Sequence, residues 1–322
     1  MSRTVLVTGG AGFIGSHVVA RLLEDGASVR IVDNLSTGKH ENLLGFNGDW
    51  TLHAVSITDM EAILPIFEGV DTVFHIAALP SVPRSIAFPQ DSNLNNVNGT
   101  LNVLNAARLA GVRRVVYAAS SSVYGNVQSE YKSEDMLPNP LSPYGAAKLA
   151  GEYYCKAFTA SYGLETVITR FFNVFGARQD PNSYYSAVIP KFIATMRRGT
   201  SPIIYGDGTQ SRDFTYVANV VHGLMLAADA PQAVGRVFNI AMGGRIELVQ
   251  LVTHLNQILG TDITPEFAPR RQGDILHSCA DIRHATDLLG YTPIVDFETG
   301  LRHTVDWYMT QQPPSYSDNT DD

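Results

Sequence analysis

Short apolar runs alternate with helix-like stretches through the first half of the chain, and this alternation is the feature that most limits its fold. The runs lie at residues 5–7, 29–32, 73–76, 115–119 and 166–169. Strands separated by helices form βαβ units, in which parallel strands are buried on both faces. We therefore expect an α/β protein with a doubly wound parallel sheet.

The alternation breaks down after about residue 172. Pro-, Gly- and Tyr-rich segments at 178–186 and 199–208 are mixed there with helix-like stretches. Residues 217–228 and 237–240 again look compatible with strands. This mixture predicts a second, smaller C-terminal lobe that is interleaved with the first.

The expected organisation follows from these changes of pattern. The last residues are polar, acidic and Pro-containing, which is typical of a disordered tail. The expected units are a dinucleotide-binding domain at 1–172 with returning segments near 215–242, a mainly substrate-binding lobe at 173–310, and a tail at 311–322.

Charge and composition exclude several classes of partner. The formal charge of -8 is spread along 322 residues without a run of Lys or Arg, so nucleic acid is not expected to bind. No stretch reaches the ~20 apolar residues that span a bilayer, and no signal segment precedes the first run, so we expect a cytoplasmic protein. Cys155 and Cys279 are interpreted as isolated reduced thiols, with no metal site.

A glycine-rich segment follows the first apolar run. Residues 8–15 read TGGAGFIG and lead into a helix-like stretch at 16–24. Glycines let the backbone approach a pyrophosphate, while the N-terminus of the helix offers N–H groups and a partial positive charge. This context favours a Rossmann-type dinucleotide site over a glycine turn that binds nothing.

Asp33 ends the second apolar run, close to the interval at which dinucleotide sites carry an acidic residue. Its carboxylate is expected to accept hydrogen bonds from both adenosine ribose hydroxyls and to repel a 2′-phosphate. NAD is therefore favoured over NADP. Lys39 is the only nearby cation in the sequence, and we interpret it as a solvated loop residue.

Tyr144 and Lys148 are four residues apart in a segment that opens with Pro143, a residue suited to the start of a helix. This spacing places both side chains on one helix face, although alone it is also typical of a surface pair. The run 114–119 leads into Ser120 at the C-terminal end of a strand, where open α/β sheets bind ligands.

The chemistry of these three residues suits proton transfer. A phenol with a reference pKa of about 10 is a poor base at neutral pH. The ammonium group of Lys148 and a positive nicotinamide ring both favour phenolate, so Tyr144 is expected to remove a hydroxyl proton. Ser120 is expected to align the reacting oxygen.

Together these motifs resemble the extended short-chain dehydrogenase/reductase family, and within it the UDP-sugar 4-epimerases, closest to the UDP-N-acetylglucosamine 4-epimerase branch. The likeness extends to about Tyr308. It also rests on segments in matching order, namely HIAA at 75–78, NNVNGT at 95–100, RFFNVFG at 170–176, GDG at 206–208, SRDF at 211–214 and GD at 273–274. The resemblance implies NAD as cofactor and inversion of the configuration at C4 of a UDP-hexose through a transient 4-keto sugar.

The resemblance also implies the residues of the site. The catalytic residues are Ser120, Tyr144 and Lys148. The cofactor-binding residues are Gly9, Gly12, Phe13, Ile14, Gly15, Asp33, Asn34, Ser36, Gly38, Ser56, Ile57, Ala77, Ala78, Asn95, Tyr144 and Lys148. The substrate-binding residues are Ser81, Val82, Ser120, Ser121, Ser122, Asn173, Gln179, Val188, Tyr205, Arg212, Arg271, Asp274 and Ser278. Among them Asn173, Arg212 and Arg271 hold the diphosphate, and Tyr205 stacks on uracil.

Some residues depart from the family pattern. Ser56 replaces an Asp near the adenine, and Phe171 replaces a Tyr, so both changes affect peripheral cofactor contacts. Ser121 and Ser122 stand where the 4,6-dehydratases carry Asp and Glu and where the UDP-glucuronate decarboxylases carry an acidic residue. Both of those reactions are therefore disfavoured.

Ser278 stands where a bulky Tyr excludes an N-acetyl group in related epimerases, so the resemblance favours UDP-GlcNAc and UDP-GalNAc, with UDP-Glc and UDP-Gal activity persisting. A UDP-glucose or UDP-glucuronate 4-epimerase is the alternative enzyme. An NAD-binding regulator without turnover is the alternative outside enzymes. Related epimerases dimerise through helices that correspond to 98–110 and 144–158, so we expect a homodimer.

Overall fold

The computed structural model describes residues 3–127, 129–180, 187–270 and 276–311. The strands are β1 (Thr4–Thr8), β2 (Ser28–Val32), β3 (Trp50–His53), β4 (Thr72–His75), β5 (Arg114–Ser120), β6 (Glu165–Phe171), β7 (Val174–Phe175), β8 (Ile203–Tyr205), β9 (Ser211–Arg212), β10 (Thr215–Tyr216), β11 (Val237–Ile240), β12 (Ile246–Glu247), β13 (Glu266–Ala268) and β14 (His277–Ser278). The helices are α1 (Phe13–Glu24), α2 (Met60–Ile63), α3 (Val82–Ala87), α4 (Pro89–Asn93), α5 (Gly99–Leu109), α6 (Pro143–Tyr162), α7 (Val188–Met196), α8 (Val217–Asp229), α9 (Leu248–Leu259), α10 (Arg283–Leu289) and α11 (Phe297–Thr310).

Seven strands form the central sheet in the order β11-β6-β5-β4-β1-β2-β3, and every neighbouring pair is parallel. The chain builds outward from β1 to β3 on one side and then continues from β4 on the other. In such sheets the crevice at the carboxyl ends of the strands, where the order reverses, is the usual ligand site. The expected doubly wound parallel sheet is confirmed.

Successive side chains of each strand point to opposite faces, and each face is covered by helices. Val5 and Val7 of β1 pack in one layer with apolar residues of α1 and α8. Leu6 packs in the other layer with apolar residues of α5 and α6. Burial on both faces explains why these strands read as continuous apolar runs in the sequence.

A second, smaller core lies in the C-terminal part of the chain. It contains Phe192 of α7, Ile204 of β8, Phe214, Leu251 of α9 and Leu301 of α11. Short strands border it, with β8 paired to β13 and β9 paired to both β12 and β14. The expected smaller, interleaved lobe is therefore present, while the domain boundaries drawn from the sequence stay a prediction.

The strand-like interpretation of residues 217–228 is wrong, because this segment forms α8. Its many valines suggest a strand, yet Val217, Val220, Val221 and Leu224 are all buried and recur at helical spacing. Residues 237–240 do form β11, which joins the edge of the central sheet beside β6. β3 was not expected from the sequence, since its residues WTLH are only partly apolar and are half-buried or exposed.

A buried ion pair joins α6 to the sheet. Glu152 of α6 and Arg170 of β6 are each 2% exposed, and the guanidinium donates to both carboxylate oxygens, from Nε at 2.8 Å and Nη2 at 2.7 Å. Arg170 also lies over the ring of Tyr124, 4.6 Å from its centroid. Because both charges have left water, each depends on the other for compensation.

We predict that Glu152→Ala lowers the free energy of unfolding by about 3–5 kcal/mol, because it leaves the buried charge of Arg170 without its partner. Urea denaturation followed by circular dichroism measures the change. The double variant Glu152→Met/Arg170→Met is the matched control and should recover most of the lost stability. A loss below about 1 kcal/mol in the single variant would contradict the prediction, since that is the range of an exposed pair.

Candidate active site

A cleft of about 230 Å³ opens at the carboxyl edge of the sheet where the strand order reverses. Most of the residues expected to bind a dinucleotide line it: Gly9, Gly12, Phe13, Ile14, Gly15, Asp33, Asn34, Ser36, Ile57, Ala77, Ala78, Asn95, Tyr144 and Lys148. Gly38 and Ser56 are outside this lining. The site-residue assignments themselves stay predictions.

The glycine segment is packed too tightly for side chains. A Cβ on Gly15 would lie 2.0 Å from the carbonyl oxygen of Gly9, and a Cβ on Gly9, at φ +71°, would lie 2.8 Å from Cα of Ala77. α1 begins after Gly12, which offers no side-chain cap to the N–H groups of the first turn. These groups and the backbone approach fit a pyrophosphate.

Asp33 follows β2 directly and points into the same cleft. Its carboxylate accepts hydrogen bonds from the N–H groups of Ala11 at 2.9 Å and Leu35 at 2.8 Å. Burial raises the pKa of Asp33, and these two hydrogen bonds oppose that rise. Gly38 leaves room for this carboxylate, because a Cβ at Gly38 would lie 2.7 Å from both carboxylate oxygens of Asp33.

Two residues near this end of the cleft make contacts that the sequence did not indicate. Lys39 is half exposed, as expected of a solvated loop residue, and its ammonium group also pairs with Asp180 at 2.7 Å. Ser56 lies outside the lining and its hydroxyl bonds to Thr58 at 2.8 Å, while Ile57 beside it lines the cleft. No local sequence pattern could predict the contact between Lys39 and Asp180, because the two residues are far apart in the chain.

The proposed catalytic residues meet at the end of β5. The ammonium group of Lys148 donates to the carbonyl oxygen of Ala118 at 2.8 Å, which fixes the side chain against the sheet. The oxygen of Ser120 accepts from both the N–H group of Ser122, at 3.2 Å, and its hydroxyl, at 2.9 Å. Ser120 also lies beside Tyr144, where its hydroxyl acts as a hydrogen-bonding neighbour that lowers the pKa of the phenol.

The pKa values of this group are governed by burial. Desolvation raises the pKa of Tyr144 to about 12, although the hydrogen bond from Ser120 lowers it. Desolvation also lowers the pKa of Lys148 to about 8, and the negative charge of Glu152 opposes that fall. The expected depression of the Tyr144 pKa is therefore absent in the chain alone, because the loss of water outweighs the hydrogen bond.

A second cleft, of about 350 Å³, lies in the smaller lobe. The residues expected to bind substrate that line it are Asn173, Val188, Tyr205 and Arg212. Nη1 of Arg212 donates to the carbonyl oxygens of Ser211 at 2.9 Å and Leu276 at 3.1 Å. Guanidinium, amide and aromatic groups in one concave surface suit a nucleoside diphosphate.

Other expected substrate residues lie outside the linings of the two clefts. Ser81 and Val82 lie at the start of α3, and Ser121 and Ser122 form the turn after β5. Gln179 donates to the carbonyl oxygen of Val174. Ser278 pairs with Arg212 across β14 and β9. Arg271 and Asp274 lie outside the described residues.

Sequence reasoning missed residues that support the site from behind. Asn96 fixes the backbone of Leu79 by hydrogen bonds to both its N–H group and its carbonyl oxygen. Asp213 accepts hydrogen bonds from the N–H groups of Met242, Gly243 and Ala280. Glu152 lies four residues after Lys148, as Lys148 lies four residues after Tyr144. This spacing, which places all three on one helix face, is the sequence feature that could have pointed to Glu152.

Comparison with known proteins agrees with this site. Residues 5–241 match the NAD dependent epimerase/dehydratase family. A UDP-glucose 4-epimerase of Mycolicibacterium smegmatis is 38% identical over 95% of this chain and 98% of its own. The chain therefore belongs to the NAD-dependent epimerase/dehydratase family, and the expected short-chain dehydrogenase/reductase relationship is confirmed.

Solved structures of UDP-sugar 4-epimerases are also similar to this chain. The UDP-N-acetylglucosamine 4-epimerase of Methanobrevibacter ruminantium, in complex with UDP-N-acetylmuramic acid, is 42% identical with a TM-score of 0.92, covering 97% of this chain and 99% of that one. The UDP-glucose 4-epimerase of Thermus thermophilus, in complex with NAD, is 34% identical with a TM-score of 0.86, covering 95% and 99%. NAD as the cofactor is confirmed. In the described part of the chain, none of the helices is long and apolar enough to cross a membrane.

We predict that Asp33→Ala lowers the preference for NAD over NADP at least ~10-fold, because a charged acceptor for the ribose hydroxyls is lost. Dissociation constants of both dinucleotides for protein stripped of cofactor measure the ratio. Asp59→Ala is the control, since Asp59 caps α2 and does not line the cleft. An unchanged ratio in Asp33→Ala, or NADP retained in the purified wild-type protein, would contradict the assignment.

Proposed function

We propose that this chain is a UDP-hexose 4-epimerase that interconverts UDP-GlcNAc and UDP-GalNAc and retains activity on UDP-Glc and UDP-Gal. The observation that carries the proposal is that Tyr144 and Lys148 both line the dinucleotide cleft, with the ammonium group of Lys148 fixed to the carbonyl oxygen of Ala118 and Ser120 beside the phenol. The second cleft supplies a separate surface for the nucleotide of the substrate.

The proposed residues divide the chemistry of proton transfer. Ser120 lies beside the phenol, and its hydroxyl is proposed to turn its one hydrogen toward the O4 atom of the sugar when the substrate is bound. Tyr144 removes the O4 proton and later returns it to the 4-keto sugar. When bound, NAD supplies the hydride acceptor and donor at C4, and its positive ring favours the phenolate that burial disfavours.

Epimerisation requires the 4-keto sugar to present its opposite face before the proton returns. The nucleotide must therefore stay bound while the sugar turns. Arg212, Tyr205 and Asn173 supply charge, an aromatic surface and an amide on one cleft, away from the catalytic residues. Binding energy concentrated on the nucleotide leaves the sugar free to rotate.

The choice of sugar rests on Ser278. Its backbone pairs with that of Arg212, which lines the second cleft, and we propose that its small side chain leaves room for an acetamido group. The relative from Methanobrevibacter, whose name states an N-acetylated sugar, supports this choice. We retain Ser81, Val82 and Gln179 as proposed sugar contacts, and Arg271 and Asp274 as proposed substrate residues.

The proposal also includes a cytoplasmic homodimer. α5 and α6 pack on each other and present large apolar side chains to solvent, among them Leu109, Tyr153, Tyr154 and Tyr162. Such a surface favours pairing of two copies through these helices. The same two helices were expected to form the interface from the sequence.

We predict that the purified protein converts UDP-GlcNAc to UDP-GalNAc and back without added NAD or metal, as monitored by NMR of each UDP-hexose. Absence of conversion for all UDP-hexoses would overturn the proposed function and favour an NAD-binding regulator. Conversion of UDP-glucuronate alone would favour the alternative enzyme.

We predict that Tyr144→Phe keeps bound NAD and lowers kcat by about 10²–10⁴, because only the proton-transferring oxygen is removed.

We predict that Ser278→Tyr lowers kcat/KM for the N-acetylated substrates at least ~10-fold through steric clash and spares UDP-Glc and UDP-Gal. Ser278→Ala is the matched control and should leave all substrates within a few-fold of the wild type. Equal rates of UDP-GlcNAc epimerisation in the Tyr variant and the wild type would remove Ser278 from the sugar pocket.

A further inference from the structure

The first turn of α6, which carries Tyr144, has acceptors for its backbone N–H groups. Pro143 has no N–H group, and the hydroxyl of Ser142 accepts from the N–H group of Gly145 at 3.1 Å. The N–H group of Tyr144 donates to the hydroxyl oxygen of Ser85 at 3.0 Å. Helix N-termini leave such groups unpaired unless another residue supplies an acceptor. Ser85, on α3, thus holds the backbone of the catalytic tyrosine from another element.

Ser85 also contacts the residues proposed to face the sugar. Its side chain is 1% exposed. Its hydroxyl donates to the carbonyl oxygen of Val82 at 2.7 Å, and its N–H group donates to the carbonyl oxygen of Ser81 at 3.2 Å. A hydroxyl has one hydrogen and two lone pairs, so it can donate to Val82 and accept from Tyr144 at once. One small side chain therefore joins the carbonyl group of Val82 to the backbone of the residue proposed to transfer the proton.

The segment on the other side of this link is held in a strained conformation. Ser81 has φ +100°, which is rare for a residue with a side chain. Its hydroxyl accepts from the N–H group of Arg84, and Asn96 fixes both backbone groups of Leu79. Strain of this kind persists where the surroundings determine the backbone, and it is concentrated at functional sites.

We propose that Ser85 is a positioning residue that couples the segment at 79–82 to Tyr144 and so fixes the spacing between the sugar and the proton-transferring phenol. The inference rests on the proposed function, because it assigns a role to Tyr144. Ser85 does not line the dinucleotide cleft, so it acts through the residues that it contacts. A shift of about 1 Å in a reacting group can cost ~100-fold in rate.

The experiment compares Ser85→Ala with Ser142→Ala, using the holoenzyme. Each variant deletes one hydroxyl that caps the same helix turn, so the two should lose similar thermal stability. Of these two serines, Ser85 is the one whose hydroxyl also bonds to Val82. We expect Ser85→Ala to lower kcat by about 10- to 100-fold with KM and bound NAD little changed, while Ser142→Ala stays within about threefold of the wild type. Equal kcat values in the two variants would overturn the proposal.

Hydrogen–deuterium exchange provides a readout that does not depend on turnover. In Ser85→Ala, the segments 79–88 and 143–146 should both exchange faster, whereas Ser142→Ala should affect only 143–146. Unchanged protection of 79–88 in Ser85→Ala would overturn the coupling. If the wild type converts no UDP-hexose, the proposed function fails, and the exchange data still decide whether Ser85 joins the two segments.

Discussion

The parallel pairing of the central strands is the constraint on which the rest of the structure depends. Because β1, β4 and β5 run in the same direction, their carboxyl ends share one edge, and the segments that leave them meet there. The glycine segment follows β1, the 76–81 segment follows β4, and Ser120 ends β5. The dinucleotide cleft and the residues proposed to transfer the proton are therefore neighbours in space although they are far apart in sequence.

Local chemistry made part of this arrangement predictable. The glycine segment, Asp33, and the spacing of Tyr144 and Lys148 are short-range signals whose meaning is set by backbone geometry. The periodicity of buried strands likewise predicted the central sheet. Each of these features depends on residues within a few positions of one another.

The features that were missed depend on distant residues. The helix at 217–229 is the exception, because Val217, Val220, Val221 and Leu224 recur at helical spacing in the sequence itself. The pKa of Tyr144 depends on the desolvation by many surrounding groups, which no spacing rule contains. Lys39 pairs with Asp180 and Ser85 bonds to Tyr144 across large separations in sequence, so neither partner could be identified from the chain alone.

The parts of the dinucleotide cleft that we propose to face the phosphates and the ribose are constrained in different ways. At Gly9 and Gly15 the limit comes from backbone atoms, which no neighbouring substitution can move aside. At Asp33 it comes from a side chain and from the loop glycine that makes room for it. The steric limits therefore leave no room for a side chain at Gly9 or Gly15, whereas a change of Asp33 to a smaller residue would also relieve the limit on Gly38. A change of cofactor preference is therefore most accessible at the end of the cleft that contains Asp33 and Gly38.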